Sequence, residues 1–194
     1  MKRKNFLTAL GFASSAILLN NKAMSIEMSD PEKHYFKDDG KIPNSKYPLL
    51  LFRNVFAVRG NDAANWLEKH FAKNNWTNSW RNGVFSYHHY HSITHEVLGI
   101  YEGSALVKLG GEMGKEVKVE AGDIIVIPAG VGHKKLSSSA DFAVVGAYPD
   151  GKNYDILKGE SGERPAADQN IAAALIPDFD PYLGSNGGLL KIWR

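Results

Sequence analysis

The feature that most limits how this chain can fold is a pair of histidine and glycine clusters in residues 83–133. Eighteen residues separate the clusters, which read Gly83-x5-His89-x-His91-x4-Glu96-x6-Gly103 and Gly122-x5-Pro128-x-Gly130-x2-His133. Because side chains alternate between the faces of an extended strand, His89 and His91 point the same way. A short turn at residues 92–94 lets Glu96 return beside them, and His133 begins a further strand after a glycine-rich turn.

The four side chains of this pattern suit a metal ion. Three imidazoles and one carboxylate form a ligand set for a borderline divalent metal such as Fe, Mn, Ni or Zn. The sequence therefore predicts one divalent metal ion held by His89, His91, Glu96 and His133. Two further coordination positions would stay open for a substrate or oxygen. Glu96 is also the candidate catalytic residue, because a carboxylate there can serve as a ligand or as a base.

The same clusters resemble the two sequence motifs of the cupin superfamily. Every signature position matches except the last, where motif 2 of cupins usually has Asn and this chain has Ser137. The flanking residues resemble the YjlB-like group of small bacterial cupins, from about Phe36 to the end of the chain. These stretches are Trp80-Arg81-Asn82-Gly83, His88-His89-Tyr90-His91-Ser92, His95-Glu96-Val97-Leu98-Gly99, Pro128-Ala129-Gly130-Val131-Gly132-His133 and Val145-Gly146-Ala147-Tyr148-Pro149. The resemblance implies an all-β, single-domain cupin, a jelly-roll β-barrel, with a metal site, and it implies no particular reaction.

The pattern of apolar residues predicts many short strands and one or two short helices, as in a barrel. The predicted strands run from Leu49 to about Val58, from Gly83 to His91, and over residues 106–109, 116–120, 124–127 and 141–148. A helix capped by Asn61 or Asp62 would bury one apolar face and end near residues 73–75. A second would begin at Pro165. Residues 189–193 would form an edge strand or pack on a partner subunit, so a homodimer is one expectation.

Residues 1–23 are predicted to be a signal peptide, with Lys2-Arg3-Lys4 as the positive region and an apolar stretch from Phe6 to Leu19. Residues 3–7 resemble a twin-arginine export signal with Lys in place of the second Arg, and the general secretory route fits as well. The alternative is an amphipathic helix docked on the body. We expect an exported, periplasmic protein without stable membrane insertion, in which residues 24–48 are an irregular lead-in and residues 49–194 the cupin domain.

Composition excludes several classes of site. The chain has no cysteine, which excludes thiolate metal sites, nucleophilic cysteines and disulfides. Its 23 basic and 21 acidic residues include no basic patch with interleaved aromatics, so nucleic acid is not an expected partner. The expected partner is a small-molecule substrate or ligand.

Two aromatic residues are candidate substrate contacts. Phe85 and Tyr87 share the parity of His89 and His91, so they should line the same cavity unless a bulge intervenes. Tyr87 is the stronger candidate, because a buried hydroxyl needs a partner, whereas Phe85 is better explained as barrel core.

Three functions agree with these observations. The first is a metal-dependent small-molecule enzyme of dioxygenase or isomerase type. The second is a barrel that binds a metabolite or sugar without turnover, and the third is a barrel with a structural metal. A closed site with four protein ligands would favour the third function, and an open site lined by polar groups would favour the first.

Overall fold

The computed structural model describes residues 30–194, which form two antiparallel β-sheets and three helices. In chain order the elements are β1 (Glu32–His34), β2 (Leu49–Phe52), α1 (Gly60–Lys73), β3 (Trp76–Asn82), β4 (Glu96–Glu102), β5 (Ser104–Leu109), β6 (Lys115–Glu120), β7 (Ile124–Ile127), β8 (His133–Ser138), β9 (Ala143–Pro149), α2 (Ala166–Ala173) and α3 (Leu189–Ile192). One sheet has the order β1-β2-β7-β4-β9-β3 and the other β6-β5-β8. The predicted signal peptide lies outside the described residues. No helix within residues 30–194 is both long enough and apolar enough to cross a membrane.

The two sheets pack face to face around an apolar core. In β6, Val117 and Val119 are buried and the charged residues between and around them are exposed, as the alternation predicts. All four residues of β7 are buried because both faces of this central strand are covered. Ile125 packs with residues of the second sheet, whereas Ile124 packs with residues of α1 on the opposite face. The packed antiparallel sheets confirm the predicted all-β jelly-roll fold.

Helix α1 covers the outer face of the six-stranded sheet. A Cβ at Gly99 on β4 would lie 2.6 Å from Cδ2 of Leu67, so the glycine permits close packing of the helix on the sheet. The predicted buried face and the predicted end of the helix are confirmed. The helix begins at Gly60 without a side-chain cap, so the predicted cap at Asn61 or Asp62 is wrong.

The N-terminal part of the described chain is more ordered than predicted. Residues 32–34 form β1 along β2, so the lead-in is not wholly irregular. Strand β2 ends at Phe52 rather than near Val58 because Asn54 adopts a left-handed φ of 48°. The Asn54 backbone N–H donates to Oδ1 of Asp123 at 2.9 Å, which holds the chain in this turn.

The C-terminal segment forms the short helix α3, so the predicted edge strand is wrong. The carboxylate of Asp180 is fully buried and accepts a hydrogen bond from the Leu189 backbone N–H at 2.8 Å, at the start of this helix. The buried Trp193 donates its Nε1–H to the Pro48 carbonyl at 2.9 Å. The segment therefore packs in the core of its own chain, and the homodimer stays a prediction.

Residues 83–88 lie outside any strand, contrary to the prediction of a strand from Gly83. The chain crosses here from one sheet to the other. It leaves β3, which pairs with β9, and approaches β8, where the Lys135 N–H donates to the Phe85 carbonyl at 2.8 Å. Regular pairing resumes at His89, which forms a β-bridge with His133.

Candidate metal centre

Backbone hydrogen bonds between distant segments bring the predicted ligands together. The His89 N–H donates to the His133 carbonyl at 3.2 Å, and the His133 N–H donates to the His89 carbonyl at 2.9 Å. The Gly130 N–H donates to the His91 carbonyl at 2.9 Å. Gly130 has a φ of 93°, and a Cβ there would lie 2.3 Å from the backbone oxygen of Asn44. The glycine-rich turn before His133 thus needs a glycine at this position.

The four predicted ligands are buried and meet in one place. One ring nitrogen from each of His89, His91 and His133 lies within 4.8 Å of the others. Oε2 of Glu96, the first residue of β4, lies 3.3 Å from Nε2 of His133 and 3.5 Å from Nε2 of His91. None of the four residues is more than 5% exposed. The structure therefore brings all of them together, and metal binding by them stays a prediction.

The orientation of each imidazole follows from its other ring nitrogen. Each Nδ1 atom lies beside a backbone carbonyl oxygen. Nδ1 of His89 is 3.4 Å from the Tyr87 oxygen, and Nδ1 of His133 is 3.2 Å from the Val131 oxygen. Nδ1 of His91 makes a short contact with the Asp155 oxygen. Protonation of Nδ1 lets it donate to the carbonyl and leaves the lone pair on Nε2. This arrangement is typical of histidines that bind a metal through Nε2.

One oxygen of Glu96 has no hydrogen-bond partner among the described residues. Oε2 is buried, and the nearby Nε2 atoms of His91 and His133 lack hydrogen-bonding geometry to it. A buried carboxylate oxygen without a donor is costly, and a cation between this oxygen and the imidazoles would satisfy it. The residues present therefore fit a divalent metal ion.

The charges of the site follow from burial and from the short distances between the groups. Burial alone would raise the pKa of Glu96, but His91 and His133 lower the pKa overall, which keeps the carboxylate ionised. Burial lowers the pKa of His89 to about 2, with a further contribution from His133, so this imidazole is neutral. Burial also acts to lower the pKa of His91, yet Glu96 raises it overall. Metal binding would have to displace the proton that Glu96 favours on His91, because ligating imidazoles must be neutral.

A chain of two hydrogen bonds fixes the other oxygen of Glu96. The Tyr148 hydroxyl on β9 donates to Oε1 at 3.0 Å, and the Trp80 Nε1–H on β3 donates to the same hydroxyl at 2.9 Å. Burial, and then the charge of Glu96, raises the pKa of Tyr148, so the hydroxyl keeps its proton and remains a donor. Glu96 is therefore oriented through Oε1 while Oε2 stays available.

The imidazoles and Glu96 open onto a cavity of about 340 Å³. This volume is near the lower end of the range for small-molecule sites. The aromatic lining residues are Trp80, Phe85, Tyr148 and Tyr154, and the charged ones besides Glu96 are Arg81 and Lys135. Phe85 is 44% exposed and lines the cavity, so its interpretation as barrel core is wrong. Tyr87 is not among the lining residues and stacks on Phe85 with 4.9 Å between ring centroids, so its contact with a substrate stays a prediction.

Two further histidines lie near the ligands in sequence but outside the cluster. His95 is buried. Its Nδ1 accepts a hydrogen bond from the Ala129 N–H at 2.9 Å, and its Nε2 lies 3.1 Å from the Leu175 carbonyl oxygen. His95 thus connects the turn before His133 to the segment that follows α2. Nε2 of His88 lies 3.2 Å from Glu112, away from the cluster.

Sequence reasoning did not assign roles to Trp80, Tyr148, Tyr154 or Asp155. Asp155 lies in a loop and contacts His91 and Ser92, and nothing in its sequence context indicates this. Gly146 is a sequence feature that could have indicated the position of Trp80, because a Cβ at Gly146 would lie 2.2 Å from the Trp80 ring. A glycine inside an apolar strand indicates the close approach of another group.

Comparison with known proteins identifies the family. Residues 81–143, which include all four predicted ligands, match the model of the Cupin domain family. The chain is 45% identical over 165 residues to the uncharacterized protein YjlB of Bacillus subtilis (strain 168), covering 84% of this chain and 97% of that relative. This chain belongs to the YjlB-like family of cupins. The resemblance inferred from the motifs is therefore confirmed.

Two solved structures show a more distant similarity to this YjlB-like cupin. Acireductone dioxygenase from Bacillus anthracis, solved with a cadmium ion in its active center, is 18% identical, covering 44% of this chain and 58% of that chain, with a TM-score of 0.34. An uncharacterized conserved protein with a double-stranded β-helix domain from Klebsiella pneumoniae subsp. pneumoniae MGH 78578 is 12% identical, covering 79% and 100% of the two chains, with a TM-score of 0.33. At these TM-scores neither structure bears on function.

Proposed function

We propose that this YjlB-like cupin is a metal-dependent enzyme that acts on a small molecule. His89, His91, Glu96 and His133 would hold the metal. The observation that carries the proposal is the opening of these donors onto a cavity of about 340 Å³. A structural metal would be enclosed by its protein ligands, without space for a further ligand. The cavity therefore favours an open site over a structural one.

The residues around the donors supply the features that catalysis needs. A bound divalent ion would polarise a substrate oxygen or, if redox-active, take part in oxygen chemistry. Tyr148 holds Glu96 through Oε1, which leaves Oε2 either as a ligand or as a base for a substrate proton. Although burial acts to raise the pKa of Glu96, His91 and His133 lower it overall, which keeps the carboxylate ionised and suited to bind a cation. The aromatic lining provides an apolar surface beside the reacting group.

The proposal is tested with protein purified without oxygen and analysed for metal. Oxygen uptake and product formation are then measured with a panel of enols, flavonols and 2-oxo acids. Oxygen consumption would assign a dioxygenase-type reaction, and rearrangement without oxygen consumption would assign an isomerase-type reaction. Glu96→Gln should abolish either activity. Binding of panel compounds without turnover would favour the alternative of a non-catalytic metabolite or sugar binder.

We also propose that the protein is exported. The proposal rests on the basic residues 2–4 and the apolar stretch that follows them. Cell fractionation should find the protein outside the cytoplasm, shortened by roughly twenty or more residues, as signal peptidase cleavage predicts. Cytoplasmic protein that retains Met1 would contradict this proposal.

A further inference from the structure

The cavity beside the candidate metal centre contains a cation that has no carboxylate partner among residues 30–194. Lys135 lies on β8 and lines the cavity. Within residues 30–194, no carboxylate forms an ion pair with its Nζ atom and no hydrogen bond from Nζ is found. The neighbouring Lys134, in contrast, pairs with Glu112 at 2.8 Å. The electric field of an ammonium group is screened less at a cavity wall than in bulk water. An ammonium group there without a carboxylate partner can therefore attract an anionic ligand.

The strand geometry aims Lys135 at the same space as the imidazoles. His133 and Lys135 are two residues apart on β8, opposite Leu109 and Val107 on β5. Residues at this spacing point to the same face and have Cα atoms about 7 Å apart. The register shift in this pairing lies beyond Lys135, so it does not change the parity. A ligand that reaches the imidazoles with one end therefore has its other end within reach of the ammonium group.

The remaining charges of the cavity leave Lys135 uncompensated. Arg81, the other basic lining residue, is held by Glu68 through contacts of 2.6 and 2.8 Å. Among the described residues that line the cavity, Glu96 is the only acidic one. It faces the imidazoles, and its charge would be more than balanced by a divalent ion. The Nζ atom of Lys135 lies over the aromatic ring of Phe142, 5.9 Å from the ring centroid, and this contact does not neutralise its charge.

We propose that Lys135 binds the carboxylate of an anionic substrate, so that the substrate class is a small organic carboxylate with an apolar group. This inference rests on the proposed function, because the other end of the substrate would lie at the metal site. The aromatic lining, which includes Phe85 and Tyr154, provides the contact for the apolar group. A neutral ligand of the same shape would leave the ammonium group without a partner and bind more weakly.

The experiment compares carboxylates with their uncharged amides. Zn²⁺-reconstituted protein is titrated calorimetrically with phenylacetate, benzoate and butyrate, and with the three corresponding amides. Lys135→Met removes the charge and keeps the length of the side chain, Lys135→Arg keeps the charge, and Lys134→Met is the matched control on the opposite face of β8. Metal content and thermal unfolding are measured for every variant, so that loss of the fold or of the metal is recognised.

We expect wild-type protein to bind at least one carboxylate more tightly than its amide by about tenfold or more, as for other charge-assisted contacts. Lys135→Met should remove this preference while Lys134→Met and Lys135→Arg retain it. Equal binding of all carboxylates and amides, or an unchanged preference in a folded, metal-loaded Lys135→Met variant, would overturn the inference. Wild-type protein that holds no metal would instead refute the proposed function, which separates the two failures.

Discussion

Replacing Tyr148 with Phe deletes the one oxygen atom that connects Trp80 to Glu96. In the native protein this hydroxyl accepts from the Trp80 Nε1–H at 2.9 Å and donates to Oε1 of Glu96 at 3.0 Å. Tyr148 and Glu96 are 1% and 2% exposed, so water has little access to the atoms left behind. The substitution therefore leaves a buried carboxylate oxygen, and the indole N–H of the partly buried Trp80, without the hydroxyl partner.

The magnitude follows from these two losses. A hydrogen bond to a charged group contributes about 1.5–3 kcal/mol, and an unsatisfied buried donor costs about 1–3 kcal/mol. With partial relaxation around the smaller side chain, we expect the free energy of unfolding of metal-free protein to fall by about 2–4 kcal/mol. For a domain of this size that corresponds to a decrease in Tm of roughly 4–16 °C. Because Tyr148 orients a predicted ligand, metal affinity should also fall by about 10–100-fold.

Urea unfolding of the metal-free protein and competitive metal titration measure the two effects separately. Tyr154→Phe is the matched control, because Tyr154 stacks on Tyr148 at 4.6 Å but is 41% exposed. No hydrogen bond of its hydroxyl is found within residues 30–194. The control should change stability by less than about 0.5 kcal/mol. If Tyr148→Phe and Tyr154→Phe behave alike in both assays, the reasoning about the Trp80–Tyr148–Glu96 chain is refuted.

Three further predictions concern packing and pH. Gly146→Ala should destabilise the protein by about 1–3 kcal/mol in urea unfolding, because the added Cβ would lie 2.2 Å from the Trp80 ring. Gly83→Ala is the control and should not destabilise the protein, because no atom lies nearer than 3.9 Å to the added Cβ. Burial lowers the pKa of His95 to about 4, so the folded protein binds a proton there less readily than the unfolded chain does. The free energy of unfolding should therefore lose on the order of 3 kcal/mol from this residue as the pH falls from 6.5 towards 4. Stability should therefore fall less steeply over that window in His95→Gln, and parallel losses in the two proteins would count against this assignment. The difference in Tm between metal-loaded and metal-free protein should be present near neutral pH and shrink below the imidazole reference pKa of about 6.5, because protons compete for the ligands. A difference that stays constant from pH 4 to 8 would mean that histidines are not the ligands.

Local patterns were sufficient for much of the fold and for the position of the site. The strand of residues 124–127 and the buried face of α1 follow from the periodicity of apolar residues, and the structure has both. The spacing of His89, His91, Glu96 and His133 placed these residues in one cluster because strand parity and a short turn are local properties. His133 joins the other three through long-range backbone pairing with His89, which local patterns do not contain.

The misassigned elements depend on tertiary contacts that sequence patterns do not contain. The apolar run at residues 189–193 suits a strand or a helix equally, and the hydrogen bond from Leu189 to the distant, buried Asp180 accompanies the helix. Residues 83–88 have the alternation of a strand but cross between sheets, where they have no regular partner. Tyr148 lies 52 residues from Glu96, so a tyrosine in an apolar strand was indistinguishable from core.

The central claim is that His89, His91, Glu96 and His133 hold a divalent metal ion, and metal analysis tests it most directly. Wild-type protein, His91→Ala and His88→Ala are purified in parallel without oxygen and analysed by mass spectrometry for bound metals. His88 is the matched control, because it is three residues away and contacts Glu112 instead of the cluster. We predict about one divalent ion per chain in wild-type protein and in His88→Ala, and several-fold less in His91→Ala, as expected when one ligand is lost. Equal metal content in the three proteins, or none in the wild type, would contradict the claim.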